Sequence, residues 1–434
     1  MSKKWEAVHR HLCGGFCFRQ RKPTGSAVAD RSKNSRMLKK LKDTQILKDC
    51  RGIIKLYEFK GGFMAAPTAY RQANPFTPMF GRVPAYMAGR EQIIDDMVLA
   101  FENDDSDPNL CSVFYGARGT GKTALLAYLS YRAQQEGWIT ANVTASEGML
   151  EDILQRLNES AAHLIEKPAS RRVNSVGIAP VGSMSWENID VEFEGANWRT
   201  KMNALFAQLE ATDTGVLIAV DEVDASFAQM TELVTTYQHF VSENKKVALL
   251  MAGLPFRVLA LLTGKSTSFL RRAAQHSLGS ISPTEVKEAF RLTIEDGGKT
   301  ISDEAIDLAA KAIDGFPFMF QLVGYRAWNA SRQASEVSIE DVERGAKLAQ
   351  EELESRVFAS TAAELSRGDL EFLRAMNPVG TTTRQELAAR LKKSSGSIST
   401  YKKRLVEAGV IEEPLQGRFE FALPGFGRYV ASLY

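Results

Sequence analysis

Cysteine is scarce in this sequence, with four residues among 434. Cys13, Cys17, Cys50 and Cys111 are too few and too unevenly placed for a disulfide framework. Cys13 and Cys17 have a spacing that can grip zinc, but no second Cys or His pair follows in a matching arrangement. Long apolar runs are missing as well. The nearest, "VALLMAGLPFRVLALL" at 247–262, is split by Pro255 and Arg257 into a strand-length half and a helix-length half. The opening "MSKKWEAVHRHLCGG" is basic but lacks the continuous apolar core of a signal peptide. The expectation is a soluble, cytoplasmic protein with no membrane partner. At roughly 150 residues per domain, the length suggests about three domains.

Charge is nearly balanced overall, at +2, but unevenly placed. Residues 1–63 hold 16 Lys and Arg against 5 Asp and Glu, a net +11, which leaves −9 for the remainder. Three readings of that segment stay open. It is a basic arm that touches nucleic acid, a disordered tail, or translated leader ahead of a start at Met64. The third rests on Lys60, Gly61 and Gly62, whose codons can spell a purine-rich ribosome-binding sequence just upstream of that methionine.

What the sequence does have is "GARGTGKT" at 116–123, set between an apolar strand and an amphipathic helix. That is the context in which a G-x-x-x-x-G-K-[ST] match binds phosphate. Gly116, Ala117, Arg118, Gly119, Thr120, Gly121 and Ala124 supply a curling backbone, and the helix that follows adds the positive end of its dipole. Lys122 reaches the β- and γ-phosphates, and the Thr123 hydroxyl ligates Mg²⁺. The complementary half is "TGVLIAVDEVD" at 214–224, a buried strand ending in two carboxylates. Asp221 holds Mg²⁺ through water and Glu222 polarises the attacking water, which favours hydrolysis of ATP over small-molecule kinase chemistry. "GWITANVTA" and "KKVALLMAGLPF" read as further strands, and residues 171–192 as a hairpin or irregular insertion. Strands alternating with helices imply an α/β domain with a parallel sheet and nucleotide at its carboxyl edge.

Together these segments resemble an AAA+ P-loop ATPase, of the initiator (origin-recognition-like) and archaeal-ATPase-like branch that borders the STAND NTPases. The resemblance covers residues 74–434. It rests on the two segments above, on "YMAGREQI" at 86–93 and on "GFPF" at 315–318. It implies that Gly89 and Arg90 lie near adenine and that Pro317 lies against the nucleotide. Two departures imply slow turnover: "MAGLPF" has no polar residue at the sensor-1 place, and Arg326 lies too far along its helix for sensor 2. Arg271 and Arg272 stand where related oligomers present an arginine finger to a neighbour's γ-phosphate, and equally suit a surface basic pair.

The resemblance divides the chain into a nucleotide-binding domain at 74–281, a helical lid at 282–350 and a winged helix at 351–434. Ser282 with Glu285, and Thr383 with Glu386, form capping boxes that start helices in the last two. In the winged helix, Ser397, Ser399, Thr400, Lys402 and Lys403 would face a major groove, with Lys392, Lys393 and Arg418 on phosphates. The expected function is ATP hydrolysis with Mg²⁺ that sets the position of this module on double-stranded DNA, in a homo-oligomer. The alternative is a STAND-like switch between ATP and ADP that controls protein association, with the winged helix packed internally.

Overall fold

The computed structural model describes residues 73–79, 81–103, 106–166, 195–332 and 334–433. The basic segment 1–63, its three cysteines and the hairpin expected at 171–192 lie outside the described residues.

Five apolar segments become the strands of one sheet. They are β1 (Cys111–Tyr115), β2 (Ile139–Thr144), β3 (Val216–Asp221), β4 (Val247–Gly253) and β5 (Ala274–Ser277), in the order β2–β3–β4–β1–β5, all parallel. Period-two alternation sends the side chains of β3 and β4 to opposite faces. Val216, Ile218, Val220, Val247, Leu249 and Met251 join one buried cluster. Helices α3 (Met149–Glu166), α4 (Trp198–Leu209), α5 (Ala228–Ser242) and α6 (Pro255–Thr263) cover that face. Leu217, Ala219, Ala248, Leu250 and Ala252 join the other cluster, under α1 (Glu91–Asn103) and α2 (Lys122–Gln135). A sheet buried on both faces explains why its central strands read as unbroken apolar runs. Pro255 starts α6 at its first turn, where its missing N–H costs nothing. Cys111, the one described cysteine, is half-buried against the core, and burial pushes its thiol pKa up to about 11.

Past β5 the chain becomes helical. Ser282 and Glu285 close the expected capping box at the start of α7 (Pro283–Asp296). Next come α8 (Asp303–Ile313), α9 (Pro317–Ser331) and α10 (Ile339–Leu353), with the short strands β6 (Thr300–Ile301) and β7 (Glu336–Val337) paired between them. The expected boundary near residue 350 falls inside α10, which runs on through a wide turn at Glu354–Phe358 into α11 (Ala359–Ala363). Three further helices, α12 (Arg367–Arg374), α13 (Arg384–Leu391) and α14 (Ser395–Glu407), precede a small antiparallel sheet and a final α15 (Phe426–Ser432). The sheet joins β8 (Thr382–Thr383), β9 (Ile411–Leu415) and β10 (Arg418–Phe421) in the order β8–β10–β9. One hydrophobic cluster runs through all of this, from Ile281 and Val286 to Phe426 and Val430.

The segment ahead of α1 also belongs to that helical half. Phe76 is inserted between α7 and α9, 5.3 Å from the Phe290 ring and 5.9 Å from the Phe320 ring. Gly324 makes room for it, since a Cβ there would come within 2.1 Å of the Phe76 ring. Asn74 Nδ2 donates to the Tyr325 carbonyl at 3.0 Å, and the Thr77 N–H donates to Gln321 Oε1 at 2.8 Å. Among the described residues no helix is long and apolar enough to cross a membrane.

Candidate nucleotide-binding site

β1 delivers the chain to Gly116 at the carboxyl edge of the sheet, and α2 begins at Lys122. Gly119 at φ +80° and Gly121 at φ +87° take left-handed backbone that other residues reach only with strain. Thr120 Oγ1 donates to the Ala117 carbonyl at 2.9 Å and closes the turn. Lys122 Nζ donates to the carbonyls of Gly116 at 2.9 Å and Ala117 at 2.7 Å, so the ammonium lies within the glycine-rich loop. Thr123 stands on α2 across from the end of β3, and its hydroxyl donates to Asp221 Oδ2 at 2.5 Å. The Glu222 N–H donates to Asp221 Oδ1 at 2.8 Å. Glu222 itself sits at φ +52°, on the order of 1 kcal/mol of backbone strain for a non-glycine residue, with its side chain in solvent. Val223 then returns to the fold, its N–H donating to the Ala252 carbonyl at 2.9 Å.

Thr123 and Asp221 offer hard oxygen donors of the kind that Mg²⁺ takes. That ion keeps several waters and takes its remaining ligands from phosphate oxygens. A cavity of about 310 Å³ adjoins this pair, walled by Asn142, Thr144, Ser146, Asp152 and Arg156. Sequence reading passed over these residues, although the polar alternation at the end of "ITANVT" marks where β2 leaves the core.

Burial pushes the Lys122 pKa down to about 8, Asp221 and Glu222 oppose the shift, and Arg118 adds to it. A bound polyphosphate would raise it again, so nucleotide binding above that pH takes up a proton. Affinity for ATP should therefore be insensitive to this group below pH 7 and fall by roughly tenfold per unit above about pH 8. Calorimetry at pH 8.5 in two buffers of different ionisation enthalpy measures the uptake. Equal heats in both buffers would contradict it.

A family model described as an AAA domain matches residues 106–262. A second model, described as a domain of unknown function, matches 355–430. Among solved structures, the chain is similar to the ORC2 protein of Aeropyrum pernix, determined as ADPNP–ADP complexes. The identity is 15%, covering 81% of this chain and 96% of that one, with a TM-score of 0.55. It is similar also to a Walker-type ATPase of Pyrococcus abyssi, at 14% identity over 81% of this chain and 99% of that one, with a TM-score of 0.57. A search of curated proteins gives no match. The α/β P-loop AAA+ fold is therefore that of this chain, as the strand order and the phosphate loop already indicate.

The connection from the AAA domain to the helical half is gripped from three sides. The Leu278 N–H donates to the Tyr115 carbonyl at 2.7 Å, and a Cβ at Gly116 would come within 2.5 Å of Leu278 O. Arg90, nearly buried, donates to the carbonyls of Gly279 at 2.7 Å and Gly89 at 3.2 Å. The Ile281 N–H donates to the Gly315 carbonyl at 2.8 Å. Gly89 and Arg90 thus fasten the connection at 279–281. Pro317 opens α9, and the residue before it, Phe316, touches the phosphate loop at Gly119.

The remaining sequence candidates are scattered. Arg271 and Arg272 are exposed on a short 3₁₀ turn before β5. Arg271 Nε donates to the Leu262 carbonyl at 3.2 Å, and Arg272 has no ion-pair partner among the described residues. Arg326 pairs with Glu352, which also pairs with Arg356 at 2.7 Å, so it is committed within the helical half. In the C-terminal module Lys402 forms an ion pair with Glu413 at 2.7 Å, and Lys393 lies 4.4 Å from the centre of the Tyr401 ring. Ser399 Oγ donates to the Ser395 carbonyl of its own helix at 3.1 Å. Lys392, Lys403 and Arg418 are exposed, with Lys403 3.9 Å from Glu407. Gly409, after α14, is at φ +68°, and a Cβ there would lie 3.2 Å from Leu254 Cδ1. The end of α14 therefore rests on the residue that links β4 to α6.

Proposed function

We propose that the protein binds ATP with Mg²⁺ at the phosphate loop, hydrolyses it slowly, and uses the nucleotide state to set the position of its C-terminal module. Lys122 holds the β- and γ-phosphates, Thr123 and Asp221 hold the metal, and Glu222 orients the attacking water. The metal supplies charge neutralisation at the phosphates. The functional division is 74–281, 282–350 and 351–434. Arg271 or Arg272 of one copy completes the site of the next in a homo-oligomer. The observation that carries this reading is the convergence of Lys122, Thr123, Asp221 and Glu222 at one edge of the sheet.

Three helices with a β8–β10–β9 sheet support reading the module as a winged helix, and Lys392, Lys403 and Arg418 are among its outward cations. Contact with duplex DNA through them is the first reading of the module's role. The second is the internal switch without DNA, and one observation favours it. Lys393 and Lys402 are committed within the module, while the end of α14 rests on Leu254 of the AAA domain. Fluorescence anisotropy with duplex DNA, in ATP and in ADP over a range of salt, separates the two. The DNA reading expects nucleotide-dependent binding whose salt slope falls by about one for each of Lys392, Lys403 and Arg418 changed to Ala. Binding unaltered in the triple variant removes these three cations from the interface, and no binding in either nucleotide state leaves the internal switch.

A further inference from the structure

Phe316 is a core aromatic, with 3% of its surface exposed. Its ring also does something a core residue need not do. The Cζ and Cε2 atoms stand where a Cβ on Gly119 would meet them at 2.6 and 2.8 Å, and Phe318 Cβ would follow at 3.5 Å. The apex of the phosphate loop is thus pressed against a side chain of the helical half. Phe316 is equally constrained on its other side. It is the N-terminal cap residue of α9, its N–H donates to the Ile313 carbonyl at 3.0 Å, and its carbonyl accepts from the Phe320 N–H at 2.9 Å. Its ring meets that of Phe318 edge-on at 6.2 Å. Gly315 before it is at φ +68°, tight against Ile281 O at 2.6 Å from a would-be Cβ.

We infer that Phe316 is a positioning residue that transmits occupancy of the phosphate loop to the helical lid. The inference rests on the proposed nucleotide site. A ring in contact on both sides cannot stay still if the Gly119 backbone shifts by more than a few tenths of an ångström. The shift passes to the first turn of α9, which α10 packs against, and so to the rest of the helical half. No charged group is needed for this link, which suits a chain whose Arg326 is committed to Glu352.

Full-length wild type, Phe316→Leu and Phe316→Tyr would be compared by hydrogen exchange with and without ATP or ADP, and by titration with a fluorescent ATP analogue. In wild type, nucleotide should slow exchange both at 116–123 and at 317–321. Phe316→Leu keeps an apolar side chain but loses the flat ring edge, so protection should persist at the loop and vanish at 317–321. Phe316→Tyr adds its hydroxyl to Cζ, the atom nearest Gly119, and should weaken nucleotide binding by about tenfold or more. If Phe316→Leu retains protection at 317–321, or if Phe316→Tyr binds the analogue within about threefold of wild type, the inference is overturned. Should the leucine variant fail to fold, Phe316→Met serves in its place. Wild type that takes up no nucleotide refutes the nucleotide site itself, which is a different outcome from either.

Discussion

Lys122→Ala should leave the protein folded and unable to bind ATP at concentrations that saturate wild type. The ammonium is the one cation of the phosphate loop that is held in place before nucleotide arrives, by the carbonyls of Gly116 and Ala117. Its charge-assisted bonds to phosphate oxygens are each worth ~1.5–3 kcal/mol. Losing them lowers affinity by roughly 100-fold or more. The same substitution leaves two loop carbonyls without their donor, which loosens the turn that Thr120 helps to close. Titration with a fluorescent ATP analogue reads the loss directly. Turnover and binding equal to wild type would remove Lys122 from the site.

Glu222→Gln separates binding from hydrolysis. The Glu222 side chain is exposed to solvent. Its backbone is fixed by Asp221 on one side and by Val223 on Ala252 on the other. Glutamine keeps the shape and loses the negative charge that draws a proton from water. General-base loss of this kind costs about 10²- to 10⁴-fold in rate. The expected result is ATP bound as tightly as in wild type, with phosphate release slowed by at least about 100-fold. Single-turnover phosphate release measures it, and ready product formation by the variant would refute the water-orienting role.

The legible parts of the site were those written as local pattern. A glycine-rich turn between strand and helix, and two acids after five apolar residues, need no knowledge of the rest of the chain, and Thr123 and Asp221 do meet. The three-layer α/β arrangement was readable for the same reason, because a doubly buried strand declares itself by an unbroken apolar run. Capping boxes at Ser282 and Thr383 also announced their helices. What could not be read was pairing between distant segments. Nothing local says that Arg90 will reach the Gly279 carbonyl, that Phe76 will fill the space left by Gly324, or that Phe316 will land on Gly119. Surface charge misleads in a related way. Lys393 and Lys402 look free along the sequence, and only the fold places Tyr401 and Glu413 beneath them.

The hydrophobic cluster that begins at Ile281 and ends at Val430 has a consequence for how this chain comes apart. A module with its own core can be cut off, exchanged between relatives or melted alone. Here α10 runs past residue 350 and delivers Leu353 and Phe358 to the same cluster as Phe372 and Phe426. Cutting there would bare the apolar faces of both pieces at once. The lid and the C-terminal module therefore form one unit with a shared core. A nucleotide that steadies one end of that unit raises the cost of unfolding the other.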